Sequence, residues 1–185
     1  MVIDPFACFF WALLLLLLPL RWLGAAVLAA LIHEGCHLAA LEILGYPPRG
    51  MKVGPFGAQM ELPSIPYGAE LAACLAGPAG SLALLLLAGR FPRLALCGLI
   101  HGLFNLLPVY PLDGGRAVYC FCGTFLPLER MLMICRAVGV GTLVCLTVGI
   151  IWAGIPLGLA VVPVILMAKG LFSKIPCKTG RPRVQ

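Results

Sequence analysis

Six apolar runs, near residues 6–22, 23–45, 66–89, 93–110, 131–151 and 155–172, fill most of this 185-residue chain. In hydrocarbon no water satisfies a backbone N–H or C=O, so a crossing segment closes its own hydrogen bonds, as a helix does. About 20 helical residues span a bilayer core of roughly 30 Å. With 62% hydrophobic residues, 11% charged and a mean hydropathy of +1.06, the chain has too little polar surface to cover a soluble globule. The expected fold is an all-α polytopic membrane protein of about six transmembrane helices, a single membrane-embedded domain over 1–185 with no room for a separate soluble one.

The first run, "FACFFWALLLLLLPL" from Phe6, is short and is closed by Pro19, so it needs Arg21 and Trp22 as interfacial anchors. A cleaved signal peptide is the competing reading. The opening "MVIDPF" carries Asp4 and neither Lys nor Arg, and a second apolar run follows at once, which favours a retained span. With a cytoplasmic amino terminus, Arg49, Lys52, Arg116, Arg130, Arg136, Lys169, Lys174, Lys178, Arg181 and Arg183 are cytoplasmic, ten of the thirteen basic residues, and Arg21, Arg90 and Arg93 are outside. That bias predicts a multi-pass cell-membrane protein with both termini in the cytoplasm. The net charge of +6 then needs no nucleic acid: the basic tail, about 173–185, faces anionic lipid.

Nine cysteines without a repeated spacing form no disulfide framework and read as small apolar residues of the helices. Cys120 and Cys122 make the one tight pair, which alone is a weak metal signal.

"LAALIHEGCHLAALEILG", residues 28–45, is the polar exception within these runs. Residues four apart on a helix lie one above the other, so His33 and His37 share a face and can hold one metal ion. Glu34 sits beside that face, where a glutamate can take a proton from water activated by the metal. Helix-to-helix hydrogen bonding is the plainer account. Against it, each ionisable group at bilayer depth costs about 2.5 kcal/mol or more, and here two of the three histidines and one of the seven acids share a single turn.

A catalytic zinc wants a third protein ligand and an open position. The acids that remain are Asp4, Glu42, Glu61, Glu70, Asp113 and Glu129. Glu42, five residues beyond His37, points elsewhere. Asp113 stands out for its setting, "HGLFNLLPVYPLDGGR" over 101–116. Pro108 and Pro111 end the fourth helix, and Gly114 and Gly115 suit non-helical backbone, which at membrane depth is tolerated where protein or a wet cavity surrounds it. An ordinary loop turn is the alternative.

"HEGCH", "AGPAGS" at 76–81 and "NLLPVYPLDGGR" at 105–116, in that order on successive helices, together resemble the site-2 protease family of intramembrane zinc metalloproteases, over about 23–116. The layout without an inserted soluble domain most resembles the sporulation-type branch that processes pro-sigma factors, although the carboxy-terminal domain often found there is absent from this sequence. The resemblance implies one zinc ion on His33, His37 and Asp113, Glu34 as catalytic base, and Asn105 as a group that positions substrate or stabilises the oxyanion. A buried asparagine making helix contacts is the simpler reading of Asn105. His101, one turn earlier, is expected to support or gate the site. Two departures stand out: Gly35 and Cys36 replace the usual Leu-Gly pair, and Ser81 replaces an asparagine; neither removes a ligand. Cys36 is expected to pack rather than to bind metal.

The Gly- and Pro-rich segment "YPPRGMKVGPFGAQMELP", Tyr46 to Pro63, reads as a small hairpin or sheet between the second and third helices. In the family that segment pairs by its edge with an extended substrate. The expected activity is zinc-dependent cleavage of a membrane-embedded or membrane-adjacent protein, with the bilayer and a regulatory membrane partner or second copy as further partners. Two other classes compete. A metal transporter would supply ligands along a pathway, yet the sequence has no second His-rich helix; an inactive scaffold would not need Glu34, both histidines and Asp113 together.

Overall fold

The computed structural model describes residues 2–3, 19–54, 57–61 and 63–154. In chain order it contains β1 (Val2–Ile3), α1 (Leu20–Ile43), β2 (Gly50–Gly54), β3 (Gly57–Glu61), α2 (Tyr67–Ala83) continued by a 3₁₀ turn (Leu84–Leu87), α3 (Pro92–Asn105), α4 (Asp113–Phe125) and α5 (Leu128–Trp152). Among the described residues three stretches are long and apolar enough to cross a bilayer: Leu20–Ile43, Tyr67–Leu87 and Leu128–Trp152. The protein is thus mostly helical and built for a membrane. The expected first and sixth spans, 6–22 and 155–172, lie outside the described residues apart from 19–22.

Two boundaries differ from the apolar runs. Pro19, with φ −57° and ψ 137°, stands outside α1 as its N-cap, and its carbonyl accepts from the N–H groups of Trp22 at 2.8 Å and Leu23 at 3.1 Å. Arg21 and Trp22 therefore open α1 instead of closing the run before it. The expected fourth span, 93–110, stops as a helix at Asn105, and 14 residues reach only about 21 Å. A helix absent from the apolar-run reading, α4, then begins at Asp113. Its burial at Gly114, Gly115, Tyr119, Cys120 and Cys122 is amphipathic, which is why no continuous apolar run announced it.

The contacts divide the chain into two compact units. The first holds the described residues up to Ile65 together with Ala72–Phe104. Here α1 ends in a Schellman turn: Tyr46 N–H donates to Leu41 O at 2.8 Å and Gly45 N–H to Glu42 O at 3.0 Å, with Gly45 at φ +80°, a conformation that favours glycine. Tyr46 packs beside Leu41, Ile65 and Ala73. β2 and β3 pair antiparallel, Gly50 opposite Glu61 and Gly54 opposite Gly57, and β1 adds parallel to β2.

Small residues let α1, α2 and α3 approach closely, the device membrane helices use where burial gives no driving force. A Cβ at Gly80 would fall on the Cys36 sulfur, and one at Gly98 would meet Ser81 O at 2.6 Å. At one end of the unit the Arg93 guanidinium lies 6.0 Å from the Trp22 ring centre, a cation–π contact of the kind found at membrane interfaces.

The second unit holds Pro66–Leu71 and the described residues from Asn105. Its core is Tyr119, Cys120, Cys122, Met131 and Cys135. Tyr67 meets Tyr119 edge-on with ring centres 5.9 Å apart, and a Cβ at Gly123 would strike the Tyr67 ring at 2.8 Å. The connection from Asn105 to α4 turns tightly, with Leu112 N–H donating to Val109 O at 2.9 Å, a cis Tyr110–Pro111 peptide and Val109 fully buried. Gly114 and Gly115 lie directly beneath this turn, where a Cβ would overlap the backbone of Leu106 and of Val109 and Tyr110. The glycine pair is helical, contrary to the non-helical backbone expected of it. It is small because the chain folds back over it.

Candidate metal centre

α1 crosses with a single buried stripe, Leu23, Ala29, His33, His37 and Leu41, whose last four members recur every fourth residue. Both histidines lie in that stripe and are 2% and 9% exposed. A buried imidazole must have partners for both nitrogens, and α2 supplies one for each ring. His37 Nδ1 is 2.7 Å from the Ala73 carbonyl oxygen. A carbonyl only accepts, so Nδ1 carries the proton, and Nε2 of the neutral ring keeps its lone pair. His33 Nδ1 is 2.9 Å from Ser81 Oγ, which is itself fully buried. A hydroxyl can donate or accept, so Ser81 serves either tautomer of His33.

With both Nδ1 atoms engaged, the two Nε2 atoms converge at 3.1 Å. Two imidazole nitrogens on one tetrahedral zinc, each about 2.0 to 2.1 Å from the ion, stand about 3.3 Å apart. The pair is therefore already spaced for one ion. Ligand atoms of His33, His37 and Asp113 all lie within 4.8 Å of one another, and Asp113 is half-buried as the first residue of α4. Two neutral nitrogens and one carboxylate form a three-ligand set of the kind catalytic zinc sites use, and the residues present fit that ion.

The other expected residues are placed as follows. Glu34 follows His33 on α1 and is half-buried. Asn105, 8% exposed, is the last residue of α3. The His101 ring stands edge-on to His33, centres 4.6 Å apart and planes at 86°. Cys36 packs on Gly80. Cys120 and Cys122 are core residues of the second unit, and among the described residues no cysteine joins a metal-binding group.

Sequence reasoning missed the contribution of α2. Ser81 entered it only as a departure that removes no ligand, yet its hydroxyl holds His33. Gly77 is equally needed, because a Cβ there would overlap the His37 ring. The signal was present as small residues three apart, Gly77 and Gly80, next to a serine. Reading it required knowing which helix they face.

No family model and no curated protein matches the sequence. The site-2 protease from Methanocaldococcus jannaschii superposes with a TM-score of 0.66 over 95% of this chain and 90% of that chain, at 18% identity. The chain has a site-2 protease fold. At that identity the likeness is one of architecture, and the chemistry rests on the residues just described.

Proposed function

We propose that this chain is an intramembrane zinc endopeptidase, one membrane-embedded domain that cuts a membrane-embedded or membrane-adjacent polypeptide near the cytoplasmic face. The observation that carries the reading is the convergence of His33, His37 and Asp113 within 4.8 Å in a chain with only 11% charged residues. His33, His37 and Asp113 would hold the ion, which when bound supplies a Lewis acid that lowers the pKa of water and polarises a carbonyl. The remaining work belongs to side chains. Glu34 accepts the proton of the attacking water and returns it to the leaving amine nitrogen. Asn105 offers an amide N–H to the oxygen on which negative charge develops. Ser81 and the Ala73 carbonyl keep both imidazoles from turning.

The six-span topology with cytoplasmic termini belongs to the same proposal, as does pairing of an extended substrate along the edge of the β2–β3 segment. Likeness to the sporulation-type branch is carried by the helix layout alone, so the substrate is proposed only as a membrane-associated protein. Among the described residues no second ligand group accompanies the first, which favours a single catalytic ion over a transport path.

The test is cleavage of a membrane-anchored substrate by purified protein in lipid. Activity that is lost to a chelator and restored by zinc supports the proposal; metal binding without cleavage of any of a panel of membrane-anchored substrates, under conditions where the M. jannaschii protease cleaves one, overturns it.

A further inference from the structure

Arg116 and Glu70 form an ion pair at 3.2 Å between the first turns of α4 and α2, with side chains 30% and 10% exposed. Two charges largely withdrawn from water in a chain with 11% charged residues call for a reason beyond stability, because desolvation consumes most of what such a pair gains. Position supplies one. Arg116 lies three residues after Asp113 in α4, where side chains share a face and an Asp–Arg pair is within reach. A guanidinium forks readily onto a carboxylate and uses the same oxygen lone pairs that a metal ligand must offer. An arginine one turn from a carboxylate ligand is therefore a competitor built into the site's own helix.

We infer that Glu70 is a positioning residue that holds the Arg116 guanidinium on α2 and so keeps the Asp113 carboxylate available to metal. The local packing fits this role. α4 packs against the start of α2 through the Tyr67–Tyr119 contact and through Gly123 beneath Tyr67, which holds the two first turns close together. Glu70 accepts from Arg116 and stands outside the His33–His37–Asp113 group. The inference rests on the proposed role of Asp113 as a metal ligand.

Its test is a competition titration of zinc between the full chain in lipid or detergent and a chromogenic chelator, for the wild type, Glu70→Gln, Arg116→Gln and the double variant. Glu70→Gln leaves the shape but removes the carboxylate that anchors the guanidinium on α2, and is expected to weaken zinc binding about tenfold or more, the size typical of a lost outer partner. The double variant removes the competitor as well and should recover most of that loss. A tie that merely braces the fold predicts the reverse order, with the double variant no better than Glu70→Gln. That outcome, or unchanged affinity in Glu70→Gln, overturns the inference. Asp113→Asn in the same titration separates the two levels: if it binds zinc as the wild type does, the metal-site reading itself fails, whereas a weakened Asp113→Asn beside an unaffected Glu70→Gln fails only the inference drawn here. Thermal unfolding of each variant identifies any that do not fold, and Glu70→Asp, which keeps the charge, should retain affinity.

Discussion

Ser81 Oγ lies 2.9 Å from His33 Nδ1, with both residues sealed from solvent. The hydrogen bond fixes which way the imidazole faces, and nothing fluid can replace it. Ser81→Ala leaves a buried nitrogen without its partner, at about 1–3 kcal/mol of stability, and releases the ring. Zinc affinity should fall about 10- to 100-fold in a competition titration. Unchanged affinity would show that packing alone orients His33.

Glu34 separates ligation from proton transfer. Glu34→Gln keeps the volume and both histidines, so bound zinc should remain stoichiometric while cleavage falls by about 10² or more. Metal analysis of the purified variant decides the matter, and loss of the ion together with activity would assign Glu34 to the coordination sphere.

Asp113→Asn supplies a poor ligand in nearly the same shape. Zinc should bind more weakly and proteolysis should stop, without loss of helix content by circular dichroism. A fully active Asp113→Asn protein would remove the third ligand from the account. Glu70→Gln, at first sight a neutral comparison, is not one, because Glu70 holds Arg116 one turn from Asp113.

Two glycines offer a contrast within one fold. Nothing lies within 4 Å of a Cβ placed at Gly35, so Gly35→Ala should preserve activity and raise stability by up to about 1 kcal/mol through helix propensity. Gly77→Ala drives a methyl group into the His37 ring and should abolish metal binding. Equal behaviour of the two variants in zinc titration and thermal unfolding would sink the close-approach argument.

Topology is checked by reporter fusions. Fusions after Gln185 and within Tyr46 to Pro63 should report the cytoplasm, and one near Arg90 the outside. A carboxy terminus on the external side would overturn the six-span count.

The group that could hold a metal ion was legible in the sequence because a membrane helix tolerates few polar groups, so His33 and His37 stand out against their surroundings. Asp113 was legible only through the prolines and glycines around it, and even there the backbone was misjudged: Gly114 and Gly115 looked like a bend and are helical. A glycine required by crowding from a distant turn and one required by its own dihedral angles look identical in a sequence. α4 escaped for a related reason, since an amphipathic helix against a protein core lacks the apolar continuity that marks a span. Helix ends were misjudged by a few residues because Pro19 interrupts an apolar run without changing its hydropathy. The partners of the histidines were unreadable altogether, since one is an ordinary serine and the other is main chain.

That last difference makes the two imidazoles unequal under mutation. His33 depends on a particular side chain, so position 81 can drift only among residues able to meet a ring nitrogen in the space Gly98 and Gly102 leave. His37 leans on the Ala73 carbonyl, which every amino acid carries. No single substitution can delete that support, and position 73 is constrained in size alone. One imidazole is thus insured by the polypeptide itself while the other is not, and relatives of this chain should show their variation accordingly, conservative at 81 and chemically indifferent at 73 provided the residue stays small.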